Sequence, residues 1–255
     1  MVSLPTCSLR ALLWDVDGTL AETERDGHRL AFNRAFAEAG VPLHWDPEQY
    51  GELLRVSGGR ERIGAALLAL RGKPAAAAEL EALQAAKQRH YRDLIEAGAI
   101  NLRPGVIELI HRAATAGVRQ AIVTTSGRSA VRSLLRHALG SLAKAFELWV
   151  CGDDVISKKP HPEAYQLALN RLNLQPQEVM AIEDSGNGLQ AARGAGLPCL
   201  ITLSVYGAGE PAHSFAAARA VVDRLGPGGK VVQGPACGAE GVTLDYLERL
   251  LVEAC

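Results

Sequence analysis

Two acidic pairs are set where chemistry can be done: Asp15 and Asp17 in Asp15-Val-Asp-Gly-Thr-Leu20, and Glu183 with Asp184 in Glu183-Asp-Ser-Gly-Asn-Gly188. Each follows a short apolar run, Leu9 to Trp14 and Val179 to Ile182, that reads as a buried parallel strand. Alternation along a strand sends Asp15 and Asp17 the same way, toward the carboxyl edge where open α/β sheets bind ligands. The plainer alternative for Asp15, Asp17 and Gly18 is a strand-end turn capped by its own acids. Like charges buried together are costly without a cation. Three or four carboxyl groups from two strands suit hard oxygen ligation of Mg²⁺, with positions left for water and a substrate phosphate.

Two further strand ends carry complementary groups. Gln120 to Val123 runs into Thr124-Thr125-Ser126-Gly127, where hydroxyls and N–H groups at a helix N-terminus can cradle an anion or merely cap the helix. After Leu148 to Val150 comes Ser157-Lys-Lys-Pro-His-Pro162, placing the Lys159 cation before a proline-stiffened turn; a solvated lysine is the alternative. Asp153 and Asp154 are placed to orient Lys159 or its loop. Gly186-x-Gly188-x-x-Ala191 has the look of a dinucleotide fingerprint, yet Glu183 and Asp184 would sit beside the pyrophosphate, and no acid falls near the usual offset of ~20 residues. No P-loop occurs.

These groups need a scaffold, and the strand runs, with a fifth at Cys199 to Thr202, supply one. Helical patterns at Gly105 to Ala116, Ser129 to Ala138, Pro162 to Leu172 and Gly188 to Ala195 separate most of them, which argues a doubly wound α/β layer structure. The first gap is far longer than a crossover helix needs and holds only helical patterns, Arg25 to Ala39, Gly59 to Leu70 and Ala75 to Ala97. We therefore expect an α/β core at 1–23 and 100–255 and an all-helical insert at 24–99. Residues 226–241 read as a Gly/Pro-rich loop before a terminal helix, Thr243 to Val252.

Composition narrows the function classes. The 255 residues carry 27 Lys+Arg against 28 Asp+Glu, a formal charge of −1, so no basic excess points to nucleic acid. Five scattered cysteines without metal-ligand spacing read as reduced thiols. With no apolar run long enough to span a bilayer and no leader pattern, a cytoplasmic, membrane-free and monomeric protein is expected.

Taken in order, Asp15-x-Asp-Gly-Thr19, Thr124-Thr-Ser126, Lys159-Pro and Glu183-Asp-Ser185 resemble the motifs of the haloacid dehalogenase superfamily phosphohydrolases. The resemblance covers residues from about 9 to 225. It implies a parallel-sheet core with an inserted helical cap, and Asp15 as a nucleophile that forms an aspartyl phosphate. Asp17 is then the acid/base, and Mg²⁺ is held by Asp15, the Asp17 carbonyl and Asp184 with help from Glu183. Lys159, Thr124 and Thr125 neutralise the phosphate, with Ser126 beside them. A dehalogenase attacking carbon has no need of Asp17, so the set argues phosphoryl transfer.

Within the insert, Glu22, Asp26-Gly-His28-Arg, Val56-Ser57-Gly58-Gly59-Arg60-Glu61-Arg62 and Lys87 resemble the CbbY-type branch, sugar-bisphosphate phosphatases of the Calvin-cycle carboxylase operon that act on xylulose 1,5-bisphosphate. A second phosphate needs cations, which Arg60 and Lys87 can supply, though both also read as solvated helix charges. That branch usually carries lysine at the position of Arg60. Tyr50 and Trp45 can line a sugar pocket or fill the core of the insert. His28 can bond substrate or lie exposed on its helix. The expected activity is a Mg²⁺-dependent sugar-phosphate phosphatase. The alternatives are a β-phosphoglucomutase-like phosphomutase and, from another class, a non-catalytic sugar-phosphate-binding regulator.

Overall fold

Strict alternation of apolar side chains on β1 (Ala11–Trp14) divides the molecule into two packing layers, seen in a computed structural model that describes residues 8–252. Leu12 and Trp14 face one cluster with Ile122, Ile182 and Leu200, while Ala11 and Leu13 face the other with Ala121, Val123, Ala181 and Ile201. All four residues of β1 are buried, as a central parallel strand requires. The other strands are β2 (Arg119–Val123), β3 (Phe146–Val150), β4 (Val179–Glu183), β5 (Cys199–Thr202), β6 (Ala220–Val222) and β7 (Val231–Gln233). They form one sheet in the order β3-β2-β1-β4-β5-β6-β7, parallel except for β7. The strand order reverses at β1, between β2 and β4, and the crevice beyond the carboxyl ends there is where such sheets bind ligands.

Among the helices outside the insert are α5 (Val106–Thr115), α6 (Arg128–Ala138), α7 (Glu163–Leu172), α8 (Gly186–Gly194) and α9 (Leu244–Val252). Their apolar residues recur at helical spacing, as in Ala130, Val131, Leu134 and Leu135 of α6, and seat each helix on the sheet. The α/β layer fold matches the sequence reading. Two strands escaped it. Ala220–Val222 is too short to show a period, and Val231–Gln233 sits inside the stretch expected to be loop, where an apolar pair between glycines makes an antiparallel edge strand on β6.

Between β1 and β2 lie α1 (Arg29–Glu38), α2 (Pro47–Leu53), α3 (Gly59–Arg71) and α4 (Ala77–Glu96). Phe32, Phe36, Trp45, Tyr50, Ile63, Leu67 and Leu83 give these helices a core of their own. Trp45 packs edge-on to Phe32 and Phe36, with centroids 5.1 and 4.8 Å away, and so fills that core. The single helix read from Arg25 begins instead with a wide π-type turn, Glu24–His28. Gly27 permits it: a Cβ there would come within 2.6 Å of Ile100 Cδ1 and 3.0 Å of Tyr91 Cε2. The sequence reading passed over α2, although Asp46-Pro47-x-Gln49 carries a capping box and a proline in the first turn.

The far half of α4 is rooted in the sheet's own cluster through Tyr91, Leu94 and Ile95. The chain leaves and re-enters the layer through neighbouring segments, since Ala21 bridges Leu102. Arg103 secures the return: its buried guanidinium donates to the carbonyls of Gly18, Thr202, Leu203 and Asp223 and pairs with Glu22 at 3.1 Å. Cys151, Cys199 and Cys237 are free thiols, whereas Cys7 and Cys255 lie outside the described residues. No helix among the described residues is long and apolar enough to cross a membrane.

Candidate active site

Asp15 follows β1 directly, and its N–H bonds the Ile182 carbonyl on β4, which sets it beside Glu183 and Asp184. All three acids are buried, and one carboxylate oxygen from each lies within 4.8 Å of the others. Lys159 is buried among them. Its Nζ donates to Asp15 Oδ1 at 2.7 Å, to Glu183 Oε1 at 2.5 Å and to the Val123 carbonyl at 2.7 Å. The Tyr165 hydroxyl also donates to Glu183 Oε1, at 2.5 Å. Burial raises the Asp15 carboxyl well above the usual range; Lys159 pulls it back, while Glu183, Asp184 and Asp17 push it further up. Burial, with Glu183 next, raises Asp184 to about 8. Desolvation acts against the Lys159 charge, but Asp15 and Glu183 outweigh it and hold the ammonium above its ordinary value.

Asp17 also points into the site, but its carboxylate is gripped differently. Thr23 Oγ1 donates to Oδ1 at 2.5 Å, His28 Nε2 lies 2.9 Å from the same oxygen, and Ser126 Oγ donates to Oδ2. Burial alone would raise its pKa, yet the charge and hydrogen bond of His28, then the two hydroxyls, carry it below the ordinary carboxylate range. Behind His28 stands Lys87, with Nζ 2.8 Å from Nδ1 and over the faces of Phe32 and Tyr91. Burial brings the Lys87 ammonium down to about 8.

A cavity of about 950 Å³ separates this edge from the insert. Asp15, Asp17, Thr125, Lys159, Glu183 and Asp184 line it from the layer, and Ser57 and Gly58 from the insert, all expected site residues. The insert wall also includes Glu24 and Arg62, which the sequence reading did not place in the site. The Tyr50 hydroxyl donates to Glu24 Oε2 at 2.5 Å and accepts from Arg62 Nη1 at 2.8 Å. The Tyr50 ring is wholly buried in the insert core, so it holds these two groups from behind.

The remaining expected residues lie elsewhere. Glu22 pairs with Arg103 at the linker, and Arg60 faces Glu81 at 3.8 Å on the insert surface. Lys87 is sealed behind His28, and Glu61 pairs with Lys158. Gly59 opens α3 near Phe32 and Gln84. Thr124 is buried, its Oγ1 accepting from the Ser126 N–H in a local turn, so Thr125 is the threonine on the cavity wall. Asp153 accepts from the Arg128 N–H, and Asp154 accepts from the Cys151 N–H and the Arg128 guanidinium. These two acids brace the start of α6 and the end of β3 rather than Lys159.

Residues 9–196 match the haloacid dehalogenase-like hydrolases. The chain belongs to that family. Within it, the chain is 45% identical over 199 residues to the protein CbbY of Cereibacter sphaeroides, an alignment covering 78% of this chain and 86% of that protein. It is 31% identical over 191 residues to the phosphorylated carbohydrates phosphatase of Thermotoga maritima, with 74% and 82% covered. Its fold superposes with a TM-score of 0.78 on a CbbY variant from Rhodobacter sphaeroides solved in complex with xylulose-(1,5)bisphosphate, at 42% identity over 85% of this chain and 94% of that one. The chain is accordingly a phosphatase of the haloacid dehalogenase type.

The acid cluster of this family member fits a divalent cation on its own physics. Three buried carboxylates converge, only Asp15 and Glu183 being paired with the Lys159 ammonium; Asp15 and Asp184 are pushed above their ordinary titration range, and all three offer hard oxygen donors. Asp15, Glu183 and Asp184 are the side chains able to hold such an ion. The Asp17 side chain is committed to Thr23, His28 and Ser126 instead.

Proposed function

We propose that the chain is a Mg²⁺-dependent sugar-phosphate phosphatase working through an aspartyl phosphate, and that its substrate is xylulose 1,5-bisphosphate or a similar ketose bisphosphate. The observation that carries this reading is a single cavity with a Lys159–Asp15 pair on one wall and the buried Arg62 guanidinium on another. Lys159 brings a positive charge to the first and Arg62, 3.9 Å from Glu24, to the second. In this reading the chain is monomeric and cytoplasmic, which suits its free thiols, and its substrate places it beside the Calvin cycle. Residues 24–99 act as the cap over a core of 1–23 and 100–255. Support for the substrate class comes from the relatives: CbbY binds xylulose bisphosphate in the superposed structure.

Asp15 is the nucleophile. Its free carboxylate oxygen attacks phosphorus, the bond from phosphorus to the sugar oxygen breaks, and Asp17 delivers the proton to the departing oxygen. Water then attacks the phosphoaspartate while Asp17 takes a proton from it, which regenerates Asp15 and frees phosphate. Asp17 rests ionised in its present hydrogen bonds; an incoming phosphate dianion beside it raises its proton affinity, so it takes up one proton from solvent as substrate binds and passes that proton to the departing oxygen in the first step. Lys159 orients Asp15 and offsets phosphate charge, and the Thr125 segment faces the equatorial oxygens. Asp15 and Asp184, with Glu183 and the Asp17 carbonyl, would hold Mg²⁺, which would neutralise the charge that two anions bring together.

The test is phosphate release from a panel of sugar mono- and bisphosphates with Mg²⁺ and with a chelator. Ketose bisphosphates should give the highest kcat/KM, and chelation should stop release. An isomerised sugar phosphate formed without free phosphate would replace this reading with a phosphomutase.

A further inference from the structure

Lys158 and Lys159 are consecutive in one loop and face opposite ways. Lys159 turns inward to Asp15, Glu183 and the Val123 carbonyl. Lys158 turns outward to the insert, its Nζ 2.5 Å from Glu61 Oε1 in the first turn of α3. Among the ion pairs of the described residues, this one and His28–Asp17 join the insert to the α/β layer.

Both ends of the link are built to be steady. On the layer side, the Ile156 and Ser157 N–H groups each donate to the Glu163 carboxylate at 2.9 Å, anchoring the loop to the start of α7. On the insert side, Gly58 precedes α3 at φ 93°, and a Cβ there would lie 2.2 Å from Glu61 Oε2 and 2.8 Å from Lys158 Nζ. A side chain at position 58 would force the ends of Glu61 and Lys158 to shift. The segment so tied, Ser57 to Arg62, contributes Ser57, Gly58 and Arg62 to the cavity wall. Across the cavity the insert meets the layer again, where the Tyr206 ring lies against Gly51.

We propose that Lys158 is a positioning residue that, through Glu61, fixes the Arg62 wall at a set distance from the Lys159–Asp15 wall and so favours substrates with two phosphates over those with one. The proposal rests on the bisphosphate reading above. The link is part-exposed, with side-chain exposures of 22% and 46%, so its effect is modest. Lys158→Gln and Glu61→Gln should each lower the kcat/KM ratio of ketose bisphosphate to ketose monophosphate by about three- to fivefold, chiefly through KM. The double variant should do no worse than either single. The charge-reversed pair, Lys158→Glu with Glu61→Lys, should restore most of the ratio.

A second measurement does not depend on activity. Amide hydrogen exchange in the metal-free protein should quicken at 57–62 and at 152–158 in both single variants, with no further gain in the double. Additive losses of the ratio, or exchange that quickens only beside each substitution, would overturn the proposal. Should the wild type release no phosphate from any bisphosphate, the functional reading fails, and exchange alone then decides whether the link exists.

Discussion

The two walls of the cavity are built on different principles. On the layer side, Asp15, Lys159, Glu183 and Asp184 come from adjacent strand ends and the loop after β3; Lys159 bonds Asp15 and Glu183, and one oxygen of each acid lies within 4.8 Å of the others. On the insert side, Glu24, Tyr50 and Arg62 come from a π-type turn and two helices, brought together only by the packing of an aromatic core. The layer wall holds a surplus of buried negative charge around one ammonium. The insert wall is closer to balanced, with Arg55 and Arg62 against Glu24, Glu48 and Glu52. In the proposed reading, reaction chemistry concentrates on the wall that the sheet dictates, and selection of substrate on the wall that tertiary packing dictates.

That division is open to attack by substitution. Asp15→Asn should lower phosphate release by about 10⁴-fold or more while the chain stays folded, measured as kcat beside circular dichroism. Retained turnover would move the nucleophile off the layer wall. Lys159→Met removes the one cation among three buried acids and should cost about 3–5 kcal/mol in urea unfolding, because breaking a buried pair strands its partners. Arg62→Met keeps an unbranched apolar side chain but loses the guanidinium, whose carbon lies 5.9 and 5.1 Å from the Phe32 and Tyr50 ring centroids. It should raise KM for a bisphosphate by about 10- to 100-fold and alter monophosphate turnover far less. Equal effects on both substrates would erase the difference between the walls.

A pH series below about 8 probes chiefly the layer wall, since the insert's Lys87, lowered to about 8, loses its charge only above that. Asp184 moves from 3.8 in the unfolded chain to about 8 when folded, so the folded state binds the extra proton between those values. Its contribution is fully present below pH 3.8 and is lost as pH rises through about 8. Without metal, the melting temperature should decline over that window. The increase given by Mg²⁺ should be larger at pH 8 than at pH 5, and an increase independent of pH would count against Asp184 as a ligand. The smallest effect is expected at Arg60, where alanine should change stability by no more than about 0.5 kcal/mol and kcat/KM by less than about twofold.

The walls also differ in how much of them the sequence discloses. Asp15, Glu183 and Asp184 sit within two residues of a strand end, so knowing the strands places them. On the insert wall, small offsets decide. Glu22 and Glu24 are two residues apart, and the wide turn that follows sends the first to Arg103 and the second to the cavity. Arg60 and Arg62 are separated by about 200° around α3, so one meets solvent and the other the core. A signal for Arg62 was present: it lies on the stripe of Ile63, Ala66 and Leu67, where a charged residue stands out. The Thr124-Thr125 choice was less accessible, since both are at the end of β2 and only the local turn to Ser126 separates their directions.

The insert departs at Ala21 and returns at Leu102, paired side by side, and Arg103 rivets the return to four carbonyls, so the layer holds both ends of the insert at one point. That junction behaves as a socket. In the proposed reading, a different helical module spliced between the same two residues would keep Asp15, Lys159, Glu183 and Asp184 and bring its own preference for what enters, but it would have to renew the grip of Thr23 and His28 on Asp17, so new selectivities can arise here by exchanging one contiguous segment together with that one contact.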